Sequence, residues 1–145
     1  MKKINTILLI LVIAPIFTLL LFSQTNTNRS EIIYLHEHQN KAISSMQLLT
    51  SFSNTGNVIL QFYADWCNPC KRMSPVINNY AATNPGFTFI KINRDYFKDL
   101  SQTFRVTSIP TLIFLRNGKE IGRYDGGPLT ETTLTQLLTK TYQLT

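Results

Sequence analysis

Cys67 and Cys70 are the only cysteines in this chain of 145 residues, and they stand in the stretch Phe62-Tyr63-Ala64-Asp65-Trp66-Cys67-Asn68-Pro69-Cys70-Lys71. A Cys-x-x-Cys pair serves three chemistries: thiol–disulfide exchange, metal binding or a structural crosslink. A structural zinc site needs four ligands, and no second cysteine pair exists. His36 and His38 could complete a set, although histidines two apart on a strand are more often ordinary polar surface residues. Metal handling, with copper or zinc on the two thiols, is therefore the weakest reading. A bridge closing so short a loop removes little chain entropy and makes a poor staple. Redox exchange is the use this spacing serves best.

The surroundings of the pair support that chemistry. The apolar run Val58 to Tyr63 precedes it, and Met73, Val76, Ile77 and Tyr80 recur after it at helical spacing. The pair thus belongs where a buried strand ends and a helix begins. The first turn of a helix has unpaired N–H groups and a partial positive charge. A thiol there loses its proton more easily, and the thiolate is the nucleophile. Cys67 takes that place, and Cys70 lies one turn on, on the same face and within disulfide reach. Pro69 suits a first helical turn, and Lys71 and Arg72 add positive charge.

The remaining elements follow in order. Glu31 to Leu35 reads as a strand, His36 to Lys41 as a polar turn and Ile43 to Phe52 as a helix ending near Asn54-Thr55-Gly56. Val58 to Tyr63 is a strand covered on both faces, with Gln61 its polar exception. The helix from Cys67 runs to about Thr83, with Pro75 expected to kink it and Asn84-Pro85-Gly86 to stop it. Phe87 to Ile92 is a strand with Phe87, Phe89 and Lys91 on one face and Ile90 and Ile92 on the other. Asp95 to Phe104 carries a weaker helical pattern. Thr111 to Leu115 and Glu120 to Tyr124 form a hairpin about Asn117-Gly118. Gly126-Gly127-Pro128 breaks the chain, and Thr130 caps a last helix through Leu134, Leu137 and Leu138. The order β-α-β-α-β-α-β-β-α implies an α/β fold, a mixed central sheet flanked by helices.

Residues 1–29 stand apart from the fold, which leaves a single domain over 30–145. Lys2-Lys3 precede an apolar run of 16 residues from Ile7 to Phe22, and a polar linker follows. The run is longer than an ordinary signal core and slightly short of a span of about 20 residues. No Ala-x-Ala cleavage site follows it. An uncleaved signal anchor is the favoured expectation, a cleaved signal peptide the alternative, and both place the domain outside the cytoplasm. The formal charge of +6 shrinks accordingly: over 30–145, eleven basic residues oppose eight acidic ones. No basic stripe with interleaved aromatics appears, which argues against nucleic-acid binding.

Taken together, the Phe62–Lys71 stretch, Pro75 after the second cysteine, Ser108-Ile109-Pro110-Thr111, Asn117-Gly118 and Gly126-Gly127 before the last helix resemble the thioredoxin superfamily over about residues 30–145. The resemblance implies a thioredoxin-like fold and a redox-active pair in which Cys67 is the exposed attacking cysteine and Cys70 the buried resolving one. It implies that Pro110 is a cis-proline which, with Ile109 before it, guides an extended substrate. Trp66 resembles a tryptophan bordering the site, with plain core packing as the alternative. Lys91 matches a lysine near the family's buried acid. At the acid's own position this chain has Gln61, which takes up no proton at neutral pH. Asp65 is expected to be exposed. The Asn-Pro spacer is similar to that of thioredoxins and of membrane-tethered extracytoplasmic oxidoreductases, which include those of bacterial periplasm and cell envelope.

The implied activity is reduction of protein disulfides by a monomer that needs no cofactor and is itself re-reduced by a membrane reductase. The alternative from another class is a peptide-binding, chaperone-like module with little redox turnover, to which Gln61 lends support.

Overall fold

The computed structural model describes residues 30–35, 47, 56–127 and 129–144. The 1–29 segment, His36, His38 and, apart from Gln47, the helix expected over 43–52 lie outside the described residues. Five strands and three helices are described: β1 (Glu31–Leu35), β2 (Asn57–Tyr63), α1 (Asn68–Thr83), β3 (Phe87–Asn93), α2 (Lys98–Thr103), β4 (Thr111–Arg116), β5 (Lys119–Asp125) and α3 (Glu131–Tyr142).

The strands form one mixed sheet in the order β1-β3-β2-β4-β5. β3 pairs in parallel with β1 and β2, whereas β4 runs antiparallel to β2 and β5. The near-continuous apolar sequence of β2 has its explanation here, because β2 is central and Val58, Ile59, Leu60 and Phe62 are all fully buried. Alternation along the strands divides the core into two clusters. Ile59, Phe89, Leu112 and Phe114 face Met73, Ile77 and Tyr80 of α1 and Leu134, Leu138 and Tyr142 of α3. Leu60, Phe62, Ile90, Ile92, Ile113 and Leu115 face Leu100, Phe104 and Val106 on the other side. Fully burying one such side chain stabilises by about 2 kcal/mol relative to exposure.

Local signals are realised closely. Asn117 and Gly118 adopt φ of 50° and 74°, the left-handed pair that a two-residue hairpin turn requires. Thr130 accepts the Thr133 N–H through its hydroxyl and so caps α3. α1 continues through Pro75 as one helix of 16 residues. The weak helical pattern over 95–104 is corrected: only Lys98–Thr103 is helical. Before it the chain turns, because Asn93 accepts the Asp95 N–H on its side chain and the Tyr96 and Phe97 N–H groups on its carbonyl.

Candidate functional site

β2 ends at Tyr63, and the turn after it brings Cys67 to the N-cap of α1, with Pro69 in the first turn. The Cys67 N–H donates to the Ala64 carbonyl at 3.1 Å, and the Cys67 carbonyl accepts the Lys71 N–H at 3.1 Å. The Cys67 sulfur accepts the Cys70 backbone N–H at 3.2 Å, the role a serine or aspartate plays at an ordinary N-cap. One of the orphan N–H groups of the helix is therefore aimed at the sulfur itself. The two cysteines are joined in a disulfide with Cα atoms 5.2 Å apart.

The expected contrast between an exposed Cys67 and a buried Cys70 is absent in this disulfide state. Cys67 is 3% exposed and Cys70 2%. The reason is local cover: Ala64 packs with both cysteines, and Tyr63 and Ile109 lie against the group. Ile109 belongs to the Ser108–Thr111 segment, where the Ile109–Pro110 bond is cis. The Pro110 carbonyl accepts the Gly126 N–H at 2.8 Å, which ties this loop to the end of β5. The buried Thr111 hydroxyl lies 2.8 Å from the Ser108 carbonyl and 3.0 Å from the Asp125 carboxylate.

Trp66 does not pack in the core. It is 65% exposed, and its indole Nε1–H donates to Asp95 Oδ2 at 2.8 Å. Asp65 is exposed as expected and accepts a hydrogen bond of 3.2 Å from Asn93 Nδ2. Asn93 is 1% exposed and so links the turns that carry Asp65 and Asp95. Neither Asn93 nor Asp95 stands out by residue type; the one available sign is an asparagine two residues before an aspartate at a strand end, a pattern that favours side-chain-stabilised turns. Tyr63, half-buried beside this network, has its phenol pushed up to about 12, chiefly by burial and secondarily by the Asp65 carboxylate.

Gln61 and Lys91 lie beneath α1 rather than at the surface of the site. Gln61 is 1% exposed, and neither Oε1 nor Nε2 has a hydrogen-bond partner among the described residues. Lys91, 3% exposed, donates to Asn78 Oδ1 at 2.9 Å and lies 3.4 Å from the Tyr34 hydroxyl. Among the described residues no group of three or more histidines, cysteines and carboxylates converges as a metal site. The arrangement brings Cys67, Cys70 and Ile109 into one packed group, with the exposed Trp66 next to Cys67 in the chain and Pro110 next to Ile109. Thiol–disulfide exchange is the chemistry such a group can perform.

Comparison with known proteins agrees. The thioredoxin family model matches residues 39–140. A thioredoxin of Chlamydia pneumoniae is 40% identical over 84 residues, covering 58% of this chain and 82% of that protein. A thioredoxin of Neurospora crassa is 41% identical over 85 residues, covering 56% of this chain and 67% of its own length. Among solved structures, a mutant thioredoxin from Halobacterium salinarum matches with a TM-score of 0.68 and 25% identity, over 83% of this chain and 98% of that one. A thioredoxin from Nicotiana alata matches with a TM-score of 0.64 and 30% identity, over 80% and 96%.

Proposed function

This chain belongs to the thioredoxin family, and from that premise we propose that it is an extracytoplasmic, membrane-anchored thiol–disulfide oxidoreductase that reduces protein disulfides through Cys67 and Cys70. Thiol–disulfide oxidoreductase activity is common ground with its relatives, and protein disulfides are the general kind of substrate. The observation that carries the assignment of roles is the hydrogen bond from the Cys70 N–H to the Cys67 sulfur at the start of α1. The same N–H and the helix's partial positive charge favour a thiolate there once the bridge is reduced.

The steps then follow. The Cys67 thiolate attacks one sulfur of a substrate disulfide, forming a mixed disulfide and expelling the other substrate sulfur as a thiolate. Cys70, having lost its proton, attacks the Cys67 sulfur. The mixed disulfide breaks, the second substrate thiol leaves, and two electrons have passed from the protein to the substrate. Ile109 and Pro110 support the incoming chain on one side of the pair, and Trp66 borders it on the other. The resemblance implies that the family's buried acid assists proton transfer at the resolving cysteine; with Gln61 at that position, the proton from Cys70 leaves by water or another group.

Location and direction rest on the sequence. Lys2-Lys3 and the Ile7–Phe22 run support an anchor over residues 1–29 and a domain over 30–145 outside the cytoplasm, with a membrane reductase as electron donor. Among the described residues no helix is long and apolar enough to cross a membrane. Insulin-disulfide reduction by the wild type, lost in Cys67→Ser, tests the chemistry; equal activity in both would favour the peptide-binding alternative, which the non-titrating Gln61 supports. A reduction potential above about −150 mV would reverse the direction. Retention of the full chain in carbonate-washed membranes, and its release on deletion of residues 1–29, tests the anchor.

A further inference from the structure

One cleft, whose wall includes the Asp95 that holds Trp66, carries three basic side chains and a single carboxylate. A cavity of about 330 Å³ opens between the turn after β3 and the segment after α2, with Arg94, Asp95, Lys98, Gln102, Arg105 and Thr107 in its wall. Both walls are joined through the chain or by hydrogen bonds to residues that neighbour the cysteine pair. The Arg94 N–H is bound to the Tyr63 carbonyl at 2.9 Å, and Asp95 holds Trp66, the neighbour of Cys67. Thr107 leads directly into Ser108-Ile109-Pro110, and Ile109 packs on the cysteine pair. Three basic side chains thus face one carboxylate, and that carboxylate already accepts the Trp66 indole. No ion pair joins Arg94, Lys98 or Arg105 to a carboxylate among the described residues, where Arg123–Glu120 pairs instead.

We propose that this cleft is a docking subsite for an acidic segment of the protein whose disulfide the chain exchanges with. The inference rests on the oxidoreductase reading and adds to it the class of substrate. Lys98 and Arg105 are exposed, so a small free anion in the cleft would stay largely hydrated. A carboxylate on a chain already held at Trp66 and Ile109 arrives at high effective concentration. Complementary charge of this kind acts mainly on encounter rate and choice of partner, and salt screens it.

The test uses the full, reduced protein and two peptide disulfides of equal length. One carries aspartates and glutamates a few residues from the cystine; the other carries asparagines and glutamines there. Rates are taken at about 0.01 M and about 1 M salt, where the screening length falls from about 30 Å to about 3 Å. The acidic peptide is expected to react about tenfold faster at low salt, and the ratio should approach one at high salt. In Lys98→Glu/Arg105→Glu the low-salt ratio should fall to about one or below. Equal low-salt rates in the wild type would overturn the proposal. So would a preference that survives both salt and charge reversal, or one abolished by millimolar phosphate at constant ionic strength, which would assign the cleft to a free anion. Failure of the wild type on both peptides and on hydroxyethyl disulfide would remove the oxidoreductase reading itself, and this proposal with it.

Discussion

Gln61 and Lys91 are register partners on the adjacent parallel strands β2 and β3, both buried, and of the two side chains only the lysine's has a hydrogen-bond partner among the described residues. Lys91 reaches Asn78 across to α1 and lies with its ammonium 5.0 Å from the centre of the Tyr34 ring. Among the described residues nothing hydrogen-bonds the buried Gln61 amide. A buried polar group left unmade costs about 1–3 kcal/mol.

Replacing that amide by a hydrocarbon of similar size removes the penalty. Gln61→Leu is therefore expected to stabilise the oxidised protein by about 1–2 kcal/mol, read as a higher urea midpoint at unchanged slope. A lower midpoint would mean that the amide is satisfied and that the strand needs it.

The sulfur at the start of α1 should be the reactive one after reduction. Iodoacetamide is expected to modify Cys67 ahead of Cys70, with a rate that rises through a midpoint below the free-thiol value of about 8.5. Cys70→Ala should then hold substrates as mixed disulfides through Cys67, resolved on a non-reducing gel. A midpoint at the free-thiol value, with no trapped partners, would count against the assigned roles.

High pH should unfold the protein partly through Tyr63. Its phenol is raised to about 12 in the fold by burial and by the Asp65 carboxylate, against an ordinary value of 10. Above pH 10 the unfolded chain loses this proton while the native state keeps it. The stabilisation is full below pH 10 and is lost as pH rises towards 12. Tyr63→Phe is expected to lose less stability than wild type between pH 10 and 12, measured by denaturant melts at each pH. Parallel losses would place the alkaline sensitivity elsewhere.

Tyr142 fastens the last helix to the sheet. Its hydroxyl is buried 2.8 Å from the Val58 carbonyl and 3.1 Å from the Leu115 carbonyl, and Arg116 donates to the Tyr142 carbonyl. Tyr142→Phe keeps the ring contacts with Phe87 and Phe114 and removes only the oxygen. A loss of about 1 kcal/mol is expected, read as a fall of about 4 °C in the thermal midpoint of a domain this size. No shift would show that the sheet carbonyls need no partner from α3.

What the amino-acid order determined by itself is what short windows encode. The apolar run of β2, the helical spacing after Cys70, the Asn117-Gly118 turn and the Thr130 cap each rest on neighbours within about four residues, and the described elements follow them. The position of Cys67 at a helix start is of the same kind, because the dipole and orphan N–H groups come with the helix. Tertiary structure decided what depends on residues far apart in the chain. The placing of β3 between β1 and β2, the Trp66–Asp95 hydrogen bond across 29 residues, the cover that Ile109 lays on Cys67 and the gathering of Arg94, Lys98 and Arg105 around one cleft are of this second kind. No local propensity favours them. They are fixed only when both core clusters close at once and leave one packing in which nearly every buried group is satisfied.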